Sequence, residues 1–256
     1  MQLSPAPSSM PLPGIGPQTA LFLDFDGTLV DIAPQPEAVQ VPADLVPLLR
    51  QLERRLKGAL AVVSGRQLAD LDGFLGPLQL TTAAEHGAHQ RWPGGKLLRL
   101  ASPDLRELIR QTTALAESHP GLHVEIKPAS LALHYRQAPE LEALCRQFMA
   151  EAADHTSGVE LLHGKSVFEV KPAGISKGSA IEAFMRESPF AGRLPLFAGD
   201  DTTDEAGFSA VQGLGGQGIK VGEGATLARY RCATPKALRQ WLRAACDENT
   251  TGSIRP

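Results

Sequence analysis

Cysteine is scarce. Cys145, Cys232 and Cys246 are too few, too scattered and odd in number to build a disulfide framework. A reducing cytoplasm is therefore the expected compartment. Long apolar runs are missing as well, and none approaches the roughly 20 residues that span a bilayer. No membrane partner is expected. Residues 1–19 hold Pro, Ser and Gly but neither the basic start nor the apolar centre of a signal peptide, and read as a flexible tail. An excess of positive charge is also lacking. The formal net charge is -3, which leaves no footprint for nucleic acid. No internal repeat is found. What remains is ordinary globular composition, 43% hydrophobic and 21% charged, in a 256-residue chain long enough for one large or two smaller cores.

The most informative stretch is Leu21-Phe22-Leu23-Asp24-Phe25-Asp26-Gly27-Thr28-Leu29. An apolar strand ends in two carboxylates one residue apart, followed by a turn. Residues i and i+2 of a strand share a face, so Asp24 and Asp26 are expected to point roughly together at its C-terminal end. Open α/β sheets bind ligands at that edge. Two facing carboxylates repel unless a cation or a shared proton intervenes. The pair suits a metal-assisted site with a nucleophile and an acid/base. A plain turn or helix cap would also use Asp and Gly, but explains this spacing less well.

After the Asp31 to Val41 loop, Leu45, Leu48, Leu49, Leu52 and Leu56 recur at helical spacing, with Gly58 at the C-terminal cap. Ala59 to Val63 reads as a buried parallel strand ending in Ser64-Gly65-Arg66, and a short helix to about Leu75 follows. Leu78 to Ala84 is a further strand, Glu85-His86-Gly87 a turn, and Ala88 to Trp92 with Lys96 to Leu100 a hairpin across Pro93-Gly94-Gly95. From Ser102 the texture changes. A helix from Ser102-Pro103 to about His119, strands Leu122 to Lys127 and Leu131 to Arg136, a helix from about Pro139 to Asp154, and strands Val159 to His163 and Val167 to Lys171 form an α+β unit with short turns. The parallel pattern resumes with a helix capped by Ser176, a strand Leu194 to Ala198, a helix to about Val211, a strand Gly218 to Val221 and a last helix from Thr234-Pro235. The fold class expected is α/β, a Rossmann-like parallel-sheet core with an inserted α+β cap domain. Core residues are 20–101 and 172–247, the cap is 102–171, and 248–256 is a C-terminal tail.

Three further sites join the opening pair. Ser64 ends the second strand, where a hydroxyl could bond a phosphate oxygen or simply cap a helix. Lys177 stands at a helix start, where a cation opposes the helix dipole, so an anionic partner is expected. Asp200, Asp201 and Asp204 crowd another strand end, and three carboxylates so close call for a cation, Mg²⁺ being the natural one. Taken together, DxDGT, Ser, Lys and GDDxTDE resemble the haloacid dehalogenase-like superfamily of phosphatases. From Ser64 to Lys177 is 177 − 64 = 113 positions, room for a cap between motifs. The inserted segment narrows the match. Glu125-x-Lys127-Pro128-x-Ser130-Leu131-Ala132-x-His134-Tyr135-Arg136 and Phe168-Glu169-Val170-Lys171-Pro172, with Ser64-Gly65-Arg66 and Glu85-His86-Gly87, are similar to the motifs of trehalose-6-phosphate phosphatases.

The resemblance implies Asp24 as nucleophile, Asp26 as acid/base, and Ser64 and Lys177 as phosphate and aspartate stabilisers. It implies Mg²⁺ on Asp24, the Asp26 carbonyl and Asp200, with Asp201 and Asp204 as acidic neighbours behind them. Gly65, Arg66, Glu125, Lys127 and Glu169 become substrate-binding residues, the last three reading sugar hydroxyls of trehalose 6-phosphate. His134 and Arg136 read instead as strand residues facing water. Competing readings are another sugar-phosphate enzyme of the superfamily, such as a sucrose-phosphate or mannosyl-phosphoglycerate phosphatase or a hexose phosphomutase, and a silent binding protein on this fold. A monomer is expected.

Overall fold

The computed structural model describes residues 10–33, 35 and 38–247. The order of elements follows the hydrophobic pattern closely. The first half of the core runs β1 (Thr19–Leu23), α1 (Leu45–Arg55), β2 (Leu60–Val63), α2 (Leu68–Leu75), β3 (Thr81–Ala84), β4 (His89–Arg91) and β5 (Leu97–Arg99). Next come α3 (Arg106–Ser118), β6 (His123–Ile126), β7 (Leu131–His134), α4 (Glu142–Asp154), β8 (Val159–Gly164) and β9 (Val167–Pro172). The chain closes with α5 (Lys177–Met185), β10 (Leu194–Gly199), α6 (Glu205–Gly213), β11 (Gln217–Val221), β12 (Tyr230–Cys232) and α7 (Pro235–Asp247).

The larger sheet has eight strands in the order β12-β11-β10-β1-β2-β3-β4-β5. Six are parallel, and the β4–β5 hairpin adds two antiparallel strands. All five residues of β1 are buried because a central strand is covered on both faces. From β1 the chain steps outward one way through β2 and β3, and the other way through β10 to β12. The C-terminal end of β1 is thus a switch point of the sheet, where a crevice opens. Leu45, Leu48, Leu49 and Leu52 form the buried stripe of α1. That helix stops where Lys57 and Gly58 both take positive φ, 51° and 86°, and Gly58 N–H returns to Glu53 O at 2.8 Å. Ser176 caps α5 by accepting from Ser179 N at 3.1 Å, and Ser179 Oγ accepts in turn from Ser176 N at 2.9 Å.

The smaller sheet is antiparallel in the order β6-β7-β9-β8. Its strand period of two sorts the side chains. Leu131, Leu133, Phe168 and Val170 pack with α3 and α4 residues such as Leu108 and Met149 in a hydrophobic cluster separate from that of the larger sheet. The alternate positions face the other way. Register places Glu125 opposite Ala132, Ala132 opposite Glu169 and Glu169 opposite Leu162. Two carboxylates therefore share one row across the sheet with a single small residue between them.

Four expectations need revision. The helix expected from Ser102 starts at Arg106, because the Asp104 carboxylate accepts the Arg106 amide hydrogen at 3.1 Å and turns the chain there. The strand expected from Leu78 begins only at Thr81. Strand β12 was not foreseen. The N-terminal stretch is anchored from Leu12 onward rather than loose throughout: Ile15 is buried and Leu12 lies against the core, while Pro17 O accepts from Arg193 at 3.1 Å. Residues 1–9 and the expected tail at 248–256 lie outside the described residues.

Candidate active site

Asp24 follows β1, Ser64 follows β2 and Asp200 follows β10, so three neighbouring parallel strands deliver their last side chains to one edge. Lys177 reaches the same point from the first turn of α5. Its Nζ lies 2.7 Å from Asp24 Oδ1 and 2.7 Å from Asp204 Oδ1. Burial alone would push the Lys177 ammonium down, but the two carboxylates more than offset this and hold it above its ordinary value. Asp24 is raised well above the usual carboxylate range, by burial first and then by Asp204 and Asp200, against the pull of Lys177. Asp200 is pushed up to about 7, again chiefly by burial, with Asp204 adding to it. Both groups therefore resist carrying charge in this setting.

The donor set fits a hard divalent cation. Carboxylate oxygens of Asp24, Asp200 and Asp204 all lie within 4.8 Å of one another. Asp204 is already committed: Oδ1 accepts from Lys177 at 2.7 Å, and Oδ2 accepts from the Asp200 and Asp201 amides at 2.8 and 2.9 Å. Asp201 caps the short 3-10 turn Thr202–Asp204 through the Thr202 amide at 2.6 Å. Asp24 and Asp200 are left as the side chains free to ligate. A side chain at Gly27 would collide with the Asp200 carboxylate, and φ there is +73°, so the turn after Asp26 requires glycine twice over.

Asp26 points to Arg66. The guanidinium donates to both carboxylate oxygens, at 2.6 and 2.8 Å, and stacks on Phe74 with its carbon 4.8 Å from the ring centroid. Ser64 is buried, and its Oγ accepts from the Arg66 amide at 3.2 Å. Gly65 offers its carbonyl to Lys127 Nζ at 3.1 Å.

A cleft of about 460 Å³ connects Asp24, Asp26 and Asp200 with Glu125, Lys127 and Glu169 of the smaller sheet. Lys127 also donates to Glu169 Oε1 at 3.1 Å and stands 3.9 Å from Glu125 Oε1. Ser130 Oγ donates to the same Glu169 oxygen at 2.6 Å. Burial pushes Glu169 up, yet Lys127 and His86 outweigh it and hold this carboxyl well below the usual range.

Four residues in or beside the site were given no functional role in the sequence reading. His134 was expected to face water, but it lines the cleft with its Nε2 2.9 Å from Glu125 Oε2. Arg136 is exposed as expected, yet it borders the same cleft and donates to Ala33 O at 2.7 Å. Buried His86 sits 3.2 Å from Glu169. Lys220 extends from β11 and donates to the Asp200 carbonyl. The signal for Lys220 was present, since a lysine between the apolar residues Ile219 and Val221 of a strand demands a buried partner.

A profile described as Trehalose-phosphatase matches residues 22–234. The chain belongs to the trehalose-phosphatase family. It is 41% identical over 232 residues to the trehalose-6-phosphate phosphatase of Escherichia coli (strain K12), covering 90% of this chain and 87% of that protein. The crystal structure of a trehalose-6-phosphate phosphatase related protein superposes with a TM-score of 0.77 at 30% identity, covering 90% of this chain and 98% of the other. A haloacid dehalogenase-like hydrolase from B. subtilis shares the fold, with a TM-score of 0.64 at 16% identity and coverage of 88% and 99%. As a member of the trehalose-phosphatase family, the chain is a phosphoric monoester hydrolase on a haloacid dehalogenase-like fold. Among the described residues, no helix is long and apolar enough to cross a membrane.

Proposed function

We propose that this enzyme hydrolyses trehalose 6-phosphate to trehalose and phosphate through an aspartyl-phosphate on Asp24, with Mg²⁺, in the cytoplasm. The observation that carries the reading is the row Glu125, Ala132 and Glu169, which faces the buried Asp24–Lys177 pair across one cleft. A phosphate at the acidic end and a hydroxyl-rich sugar at the charged row would both find partners. Residues 102–171 act as a cap that reads the sugar, and 20–101 with 172–247 carry the chemistry.

In the first step an Asp24 oxygen attacks phosphorus in line, the bond to the sugar oxygen breaks, and Asp26 delivers a proton to that oxygen. In the second, Asp26 takes a proton from the water that attacks the aspartyl-phosphate, and Asp24 leaves as carboxylate. Arg66 begins on Asp26, and the incoming dianion competes with that carboxylate for the guanidinium and draws it towards phosphate, which releases Asp26 to hold the proton it donates. Lys177 and Ser64, with the nearby amides, stabilise charge on the equatorial oxygens. Asp24, Asp200 and the Asp26 carbonyl would hold the metal, which neutralises charge developing on the phosphoryl group when bound. The cap excludes water from the reacting centre.

The test is phosphate release from trehalose 6-phosphate, sucrose 6-phosphate and glucose 6-phosphate, each with Mg²⁺ and with EDTA. Clear preference for the first substrate, lost in EDTA, is expected. Equal rates on all three would overturn the substrate assignment and leave a general sugar-phosphate phosphatase.

A further inference from the structure

We propose that the Glu85-His86-Gly87 turn of the core is a positioning element for the sugar end of the site, gripping the cap through two adjacent side chains. The inference rests on the reading of Glu169 as a sugar-binding residue. The turn follows β3, and its three residues all have positive φ, 48°, 58° and 117°. For Glu85 and His86, which carry a Cβ, this left-handed backbone is strained. Such strain persists only where the surroundings over-determine it. Here they do: Glu85 N–H donates to Arg66 O and His86 N–H to Ser64 O, both at 2.9 Å. The turn is stitched to the same loop that presents Ser64 to the phosphate end.

The strain has a geometric consequence. Consecutive side chains of an extended strand point to opposite faces, but this turn sends two in a row to the cap. Glu85 Oε2 accepts the Ala129 amide hydrogen at 2.7 Å. His86 Nε2 lies 3.2 Å from Glu169 Oε2. A carboxylate can only accept, so the ring proton sits on Nε2. Burial, opposed by Glu169, pushes the imidazole down and keeps it neutral. All four residues that form the two tethers are buried. Lys127 adds a third tie by donating to Gly65 O and to Glu169 Oε1, each at 3.1 Å. Gly65 has no side chain for a physical reason: a Cβ there would stand 2.7 Å from His86 Cε1 and Nε2. The loop that meets phosphate, the imidazole and the carboxylate that meets sugar are thereby one contiguous set of contacts.

The experiment uses His86→Asn and His86→Gln in the full chain. Asparagine tolerates the left-handed backbone but ends short of Glu169, whereas glutamine extends its amide to about the position of Nε2. His86→Asn is expected to raise KM for trehalose 6-phosphate roughly tenfold or more while kcat changes less. His86→Gln should recover most of that loss, and kcat/KM for p-nitrophenyl phosphate should stay within about twofold in both variants. Equal losses on the two substrates, or no loss in His86→Asn, would overturn the proposal. A second arm needs no substrate. In Glu85→Asn, amide hydrogen exchange at Ala129 should quicken at least about tenfold while Leu21 to Leu23 keep their protection. Unchanged exchange at Ala129 would overturn the grip whatever the substrate. If wild-type enzyme ignored trehalose 6-phosphate while Ala129 responded, the grip would stand and only the trehalose reading would fall.

Discussion

At the scale of single residues, the site is governed by one buried cation between two buried anions. Lys177 touches Asp24 and Asp204, and all three are buried. Removing a partner from such a group is costly when it leaves charge uncompensated. Asp24→Asn leaves Lys177 paired with Asp204, so little stability is lost, while the nucleophile is gone. We expect a folded protein with no measurable phosphate release. Normal turnover by folded Asp24→Asn would end the covalent mechanism. Lys177→Met should behave differently, because it leaves two buried carboxylates side by side. A loss of about 3–5 kcal/mol in urea unfolding is expected without metal. The contrast between the variants separates a chemical from a structural role, which turnover alone does not. Lys177 was legible beforehand as a cation misplaced at a helix N-terminus. The double commitment of Asp204 was not, because sequence spacing says nothing of which oxygen each amide selects.

At the scale of elements, alternation explains both what could be read and what could not. β1, β2 and β10 are short apolar runs that end in polar residues, and their order and type are legible from the sequence. β12 is three residues with Arg231 at its centre and sits at the sheet edge, so no periodicity announces it. In the smaller sheet, alternation marks which residues leave the hydrophobic cluster. It does not distinguish open water from a cleft, and His134 was misread for that reason. The register supplies the missing step by placing Glu125 and Glu169 in one row. Losing one charged hydrogen bond to a sugar hydroxyl costs about 1.5–3 kcal/mol. Glu125→Ala or Glu169→Ala should therefore lower kcat/KM for trehalose 6-phosphate roughly ten- to a hundredfold. Hydrolysis of a small aryl phosphate, too short to reach this row from Asp24, should change little. Equal losses on both would mean that these carboxylates support the fold or the chemistry, and the row would no longer be the sugar reader.

At the scale of the whole molecule, the 113 positions between Ser64 and Lys177 declare an insertion, but how the inserted sheet meets the core is a matter of long-range contacts that no local pattern encodes. One of those meetings, between motifs 176 positions apart, brings Asp200 to Asp24, since 200 − 24 = 176. A metal bridging such distant parts of the chain binds the folded state and not the unfolded one, so it must raise the stability of the entire molecule. At a free concentration one hundred times its Kd the gain is about 2.7 kcal/mol. For a chain of this size each kcal/mol moves Tm by roughly 2–4 °C, so Mg²⁺ should raise Tm by about 5–10 °C over an EDTA-treated sample. Asp200→Asn removes one ligand and should erase most of that shift while leaving a cooperative unfolding transition. Calcium offers the sharper comparison. It accepts the same oxygen donors with a larger and looser coordination shell, so it should stabilise the protein against heat yet support phosphate release poorly. Full turnover in rigorously metal-free buffer would remove the metal from the reaction. A Tm insensitive to Mg²⁺ in wild type would show instead that Asp24 and Asp200 tolerate their proximity by holding protons, and the acidic edge of the sheet would have to work without a cation.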